Sequence, residues 1–111
     1  MAENQSPYLL TKDLETQLKG VLAPIDLFEL EPAPRKVLTD LNRQIVDARL
    51  DARDYELSET REEQLQNARQ ARKRLEHVRK DILTASEYNI FSAIDVAQLS
   101  ANVEHIIERL E

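Results

Sequence analysis

The sequence predicts an all-α protein: an up-and-down antiparallel helical bundle of three long helices plus an N-terminal helix, built on a long helical hairpin. The 111-residue chain has one glycine, Gly20, and four prolines, all before residue 35. A β-protein would normally need glycine in its turns, whereas helices exclude both residue types from their interiors. Apolar residues also recur every three or four positions, the period of an amphipathic helix. We expect one helical-bundle domain over residues 1–111, with helices at approximately 7–22, 34–57, 61–86 and 93–110.

The first helix is predicted to begin at Ser6-Pro7, because serine caps helix N-termini and proline is tolerated at the first helical position. We expect it to end near Leu22, since Pro24 cannot continue it. Its apolar positions are spaced by four, four and three residues: Leu10, Leu14, Leu18 and Val21. Residues 25–30 are too few for a periodicity argument, and we expect a helical turn laid across the bundle. Residues 31–34 (Glu-Pro-Ala-Pro) predict a stiff connector.

The remaining helices follow from their apolar spacing, which on the second and fourth helices is a regular heptad pattern of the coiled-coil type. The second helix has its predicted core at Leu38, Leu41, Ile45, Ala48, Ala52 and Tyr55. The third has Leu65, Ala68, Ala71, Leu75, Val78 and Ile82. The fourth begins at a capping-box pair, Ser92 with Asp95, and has Val96, Leu99, Val103, Ile106 and Leu110.

The second and third segments are predicted to form a hairpin rather than one helix of about 50 residues. At 100° per residue, their apolar stripes point roughly 130° apart, so a continuous rod would present two unrelated faces. Thr60 and Glu63 have the spacing of a capping box, which predicts a turn over Leu57–Thr60. Two nearly equal arms of about 36 Å then suit antiparallel packing.

Composition excludes several kinds of functional site. The chain has no cysteine, so it has no disulfide, thiolate metal site or thiol nucleophile. One glycine is too few for a phosphate-binding loop, and the two histidines lack a metal-ligand spacing. We expect no cofactor. No basic and apolar leader precedes Asp13, and no apolar stretch approaches the roughly 20 residues of a membrane span, so we expect a cytoplasmic protein without membrane contact.

One alternative function is a metal-dependent hydrolase that uses helix carboxylates. Asp47, Asp51 and Asp54 fall on one stripe of the second helix, together with Asp40. Lys36 and Arg43 interleave with these acids, a pattern more typical of a solvated helix face than of a metal pocket.

Another alternative is a nucleic-acid-associated regulator that uses the basic third helix. Residues 59–84 carry five acids and seven bases, in a chain of net charge −6. The bases that would contact a phosphate backbone are Arg69, Arg72, Lys73, Arg79 and Lys80. The overall negative charge and the lack of interleaved aromatic residues disfavour nucleic acid. We expect these bases to pair within the bundle instead, Glu76 with Arg72 and Lys80, with the third helix between the acidic first and fourth helices.

The leading hypothesis is a non-enzymatic adaptor, regulator or assembly protein acting through contacts with another protein or with itself, including a homodimer. Two apolar segments outside the predicted long helices would supply the anchors. The candidate contact residues are Leu27, Phe28, Leu30, Tyr88, Ile90 and Phe91. The sequence leaves open whether these segments bind a partner or close the ends of the bundle.

Overall fold

The structure is a computed structural model, and it describes residues 5–110; positions 1–4 and 111 of the predicted domain lie outside the described residues. The described chain forms four α-helices and, between the first two, a 3-10 turn at Leu27–Glu29. We number the helices α1 (Pro7–Leu22), α2 (Pro32–Glu56), α3 (Arg61–Glu87) and α4 (Ala93–Arg109). The helices pack against one another and residues 5–110 contain no strand, so the predicted helical bundle is confirmed.

The helices are arranged as a four-membered ring in which each packs against two neighbours. α1 contacts α2 and α4, and α3 contacts the same two helices. The expectation that α3 lies between α1 and α4 is therefore wrong: α3 lies between α2 and α4, diagonally opposite α1. The short turn after α2 explains this, because a tight hairpin makes its two arms direct neighbours.

Three of the four helices begin at the predicted caps. The hydroxyls of Ser6, Thr60 and Ser92 accept from backbone N–H groups three residues later, at 3.2, 3.1 and 3.1 Å. α2 is the exception, because it begins at Pro32, two residues before the predicted start. Proline is compatible with the first helical turn, where its missing N–H has no intrahelical partner to lose.

The core lies between the four apolar stripes. The fully buried large side chains are Leu14, Leu18, Leu38, Leu41, Ile45, Leu75, Val78, Ile82, Leu99, Val103, Ile106 and Leu110. Leu65 is a wrong prediction, because it is 49% exposed. The buried stripe of α3 passes back from Ala71 through Ala68 to Gln64, at spacings of three and four residues, and Gln64 is half-buried. Leu65 is the next residue along the helix, so its side chain points about 100° away from that stripe.

A local network holds the α2–α3 hairpin turn. The Asn67 side-chain amide donates to the Ser58 hydroxyl at 2.8 Å and to the Asp54 carbonyl at 3.2 Å. The Glu63 carboxylate accepts from the N–H of Glu59, the residue before the N-cap, at 3.2 Å, in place of the Thr60 N–H that a capping box would use. The predicted hairpin is confirmed, and its turn lies at the end of the bundle opposite the other two interhelical connections.

Asn89 ends α3 in a left-handed conformation, and this gives a stability prediction. Its φ is 59°, and the Ile90 N–H donates to the Ala85 carbonyl five residues back, at 3.3 Å, as in a Schellman motif. We expect Asn89→Gly to keep or slightly raise the free energy of unfolding, since glycine adopts this conformation freely. Asn89→Val should lower it by about 1–2 kcal/mol. Urea denaturation of both variants checks this. Equal free energies of unfolding for the glycine and valine variants would contradict a requirement for the left-handed conformation at position 89.

Candidate functional site

Two interhelical connections lie at the same end of the bundle. Because the helices alternate in direction, the segment after α1 and the segment after α3 meet at one end. The side chains of Leu30, Pro34, Tyr88 and Ile90 line one open groove there. We call residues 23–34 and 87–95 together the connector face. It contains all six side chains that the sequence predicted as partner contacts.

The six candidates differ sharply in exposure. Phe28 is 90% exposed and Tyr88 is 45% exposed, so both present aromatic surface to solvent. Leu27, Leu30 and Ile90 are half-buried, with one side packed against the core. Phe91 is 6% exposed and belongs to the core. The structure therefore corrects the assignment of Phe91 to a contact surface: its ring plugs the end of the bundle, as the alternative interpretation expected.

The turn that carries Phe28 is held by two polar side chains. The Asp26 carboxylate accepts from the Phe28 N–H at 3.0 Å. The Arg35 guanidinium donates to three backbone carbonyls, those of Leu27 at 3.0 Å, Phe28 at 3.3 Å and Leu30 at 2.7 Å. A charged fork with several donors fixes backbone geometry well, because its donors hold fixed relative positions. The exposed Phe28 ring is thus attached to an ordered turn.

Arg35 is a positioning residue that sequence analysis missed. The bonds it makes are to carbonyls five to eight residues earlier, a separation with no sequence signature. The one feature of the sequence that singles out Arg35 is that no other base occurs between it and Lys19. A lone base following an acidic, apolar connector is compatible with many surface roles, so the pattern alone did not indicate a clamp.

The second connector is also ordered. The left-handed Asn89 fixes the exit of the chain from α3, and Phe91 inserts into the core. Ser92 then caps α4. Tyr88 and Ile90, which lie between these fixed points, contribute one wall of the groove.

The opposite wall of the groove is the beginning of α2, and it is unusually apolar for a helix end. Pro32 and Pro34 lack N–H groups, so they remove two of the donors that a helix N-terminus normally presents. Pro34 is buried and Ala33 lines the groove. This wall suits apolar contact better than anion binding.

The carboxylates proposed for a metal site are partly held by one arginine. Arg74 of α3 donates to Asp51 at 3.2 Å and pairs with Asp47 at 3.7 Å, across the seam between α2 and α3. Asp54 is exposed and lies 3.9 Å from Arg53. The structure therefore brings two of the three acids together around a cation. Over residues 5–110, no three acidic or histidine side chains are grouped so as to hold a metal ion.

Burial shifts the pKa of two aspartates in the seam between α2 and α3. Burial raises the pKa of Asp51 above its ordinary value, while the hydrogen bond and charge of Arg74 act in the opposite direction. Burial also raises the pKa of Asp81, helped by the negative charge of Asp40 and opposed by His77. Both shifts mean that folding disfavours the ionised carboxylate.

Asp81→Asn should therefore raise Tm at neutral pH, by about 2 °C. The pKa of Asp81 is higher in the folded protein than in the unfolded chain. The free energy of unfolding of the wild type therefore falls, relative to the variant, as pH rises through the folded-state pKa. Below the usual carboxyl range both side chains are neutral and the difference should vanish. Thermal denaturation across pH checks this, with Glu108→Gln as an exposed control of equal charge change. A Tm gain that persists unchanged at low pH would contradict the ionisation argument.

The basic residues of α3 divide into two groups. Arg79 pairs with Glu104 of α4 at 3.1 Å and with Glu76 on its own helix at 2.5 Å. The expected pairs of Glu76 with Arg72 and Lys80 are absent, since Glu76 contacts Arg79 instead. Besides Arg74 and Arg79, five bases of α3 form no ion pair among the described residues: Arg61, which donates to Gln64 at 2.8 Å, and Arg69, Arg72, Lys73 and Lys80.

Comparison of the chain with protein-family models, with curated proteins and with solved structures found no significant match. Among residues 5–110, no helix is both long enough and apolar enough to cross a lipid bilayer.

Proposed function

We propose that this protein is a non-enzymatic helical adaptor that binds another protein through the connector face. The observation that carries the proposal is the contrast between Phe28 and its support. A phenylalanine that is 90% exposed on a turn held by Asp26 and Arg35 is costly to leave in water, and its backbone is already ordered. Aromatic anchors on pre-organised surfaces are typical of protein–protein interfaces, because little entropy is lost when they bind.

The surrounding surface supports this assignment. Leu30 lines the groove shared with Tyr88 and Ile90, and Leu27 lines a second groove, against α1 and α2. Phe28 lies between these two leucines in the chain. Its neighbours therefore offer apolar surface on both sides, and a partner could cover the ring and a groove together.

The test uses matched variants of two exposed apolar side chains at opposite ends of the bundle. Phe28→Ala removes the proposed anchor, and Leu57→Ala removes a side chain that is 69% exposed at the hairpin turn. Tagged wild-type protein is used to capture partners from nuclease-treated lysate of the source cells. We expect a discrete partner whose recovery falls at least about tenfold for Phe28→Ala and is unchanged for Leu57→Ala.

Two outcomes would contradict the proposal. Equal loss in both variants would indicate nonspecific apolar adsorption. Partners that are lost on nuclease treatment or with Lys73→Glu, but not with Phe28→Ala, would direct attention to the unpaired bases of α3 and to nucleic acid.

A further inference from the structure

We infer that the occupant of the connector face is a cationic amphipathic segment of another protein, one that places apolar side chains in the groove and lysines or arginines around it. This inference rests on the proposed function and adds the chemistry of the partner. It follows from the distribution of charge around the groove.

The residues that form the connector face carry only negative side chains, and the Arg35 guanidinium lies against them. Residues 23–34 and 87–95 contain acids and no base; the acids are Asp26, Glu29, Glu31, Glu87 and Asp95. Glu29 and Glu31 line the groove itself and are exposed. The apolar floor is therefore edged by carboxylates that a partner must either neutralise or avoid.

The nearest bases, Lys19, Arg35 and Lys36, are fewer than the five acids of the face. Lys19 lines the groove beside Leu27 and pairs with Glu15 at 3.3 Å. The Arg35 guanidinium donates to the carbonyls of Leu27, Phe28 and Leu30, so its positive charge offsets only one of the five acids. Lys36 lies just outside the face and is exposed. The unpaired bases of α3 lie between residues 61 and 80, before the last turns of the helix that lead to the connector. A partner with basic residues would supply the missing counter-charges.

The same charges argue against the other occupants. In a two-fold symmetric dimer that buries the face against itself, the five acids of one copy would oppose the five of the other. Like charges brought together at an interface cost free energy, so a second copy seated here is disfavoured. Nucleic acid and anionic lipid would meet the same repulsion. A cationic amphipathic polypeptide satisfies both the apolar groove and the acidic rim.

The experiment measures binding of the full chain to three short fluorescent helical peptides by anisotropy. The first has a leucine stripe and lysine flanks, the second the same stripe with glutamate flanks, and the third lysine flanks with serine in place of leucine. We expect the first peptide to bind at least about tenfold more tightly than either of the others. Its binding should weaken about tenfold with Phe28→Ala and stay unchanged with Leu57→Ala.

A charge-matched pair of double variants isolates the acidic rim. Glu29→Gln with Glu31→Gln should weaken the first peptide about three- to tenfold and reduce the salt dependence of its binding. Glu59→Gln with Glu62→Gln alters the net charge equally, but at exposed sites around the hairpin turn. That control should bind like the wild type, which separates local charge from the overall charge of the protein.

The outcomes distinguish the two proposals. If the leucine-bearing peptides bind equally and Phe28→Ala weakens both, the cationic partner is overturned and the docking face stands. If the first peptide does not bind at about 1 mM, the cationic partner is overturned, and the docking face is decided by partner capture with Phe28→Ala. If Phe28→Ala changes neither peptide binding nor capture, both proposals fail. Equal binding of the serine-bearing peptide, or a dimer in sedimentation that Phe28→Ala dissociates, also overturns the inference.

Discussion

Replacing Phe91 by alanine is expected to lower the free energy of unfolding by about 3–5 kcal/mol, the largest effect expected for any side chain of the connector face. The ring is 6% exposed and belongs to the core cluster, so its removal leaves a cavity and also frees the α3–α4 connection. For a chain of this length, such a loss is a large fraction of total stability. Urea denaturation followed by circular dichroism measures it.

Phe28→Ala is the matched control, because it deletes the same ring from the same end of the bundle. At 90% exposure, we expect a change in the free energy of unfolding within about 0.5 kcal/mol. Similar losses for the two variants would contradict the division of the connector face into a buried plug and an exposed anchor.

Arg35→Ala is expected to have the next largest effect, a loss of about 2 kcal/mol in the free energy of unfolding. The substitution removes every side-chain donor that the guanidinium supplies to the carbonyls of Leu27, Phe28 and Leu30. We expect amide hydrogen exchange to accelerate at residues 27–30 while the bundle core remains protected. Binding through Phe28 should weaken as well, because the turn must then be ordered on association.

Two variants test whether the effect comes from the fork geometry. Arg35→Lys keeps the charge but supplies one compact ammonium. Relative to Arg35→Ala, we expect it to restore part of the free energy of unfolding and little of the hydrogen-exchange protection at residues 27–30. Lys36→Ala removes a neighbouring exposed base and should leave exchange at the turn unchanged. Full rescue by lysine would show that charge alone suffices and would contradict the clamp.

The elements that could be predicted from sequence are those with local causes. A helix cap depends on a side chain and an N–H three residues away, so Ser6, Thr60 and Ser92 were identifiable. The hairpin followed from the phase difference between two apolar stripes, which is also a property of neighbouring residues. Leu65 was wrongly assigned to the core because it is apolar, whereas the position that faces the core by helical spacing is the polar Gln64.

The features that escaped prediction depend on contacts between distant parts of the chain. Phe28 and Phe91 have similar surroundings in sequence, and only the packing of the helix ends decides which ring is covered. The neighbours of α3 depend on how the hairpin docks against α1 and α4. The pairing of Arg79 with Glu104 follows from that docking, and so does the pairing of Arg74 with Asp51.

Site-specific photocrosslinking tests the central claim most directly, namely that the Phe28 ring is an exposed anchor for a protein partner. A photoreactive phenylalanine analogue is placed at position 28 in one variant and at position 57 in another, and both are irradiated in nuclease-treated lysate of the source cells. We expect a discrete protein adduct at position 28 that is absent at position 57. No adduct at position 28, or the same adducts at both ends of the bundle, would contradict it.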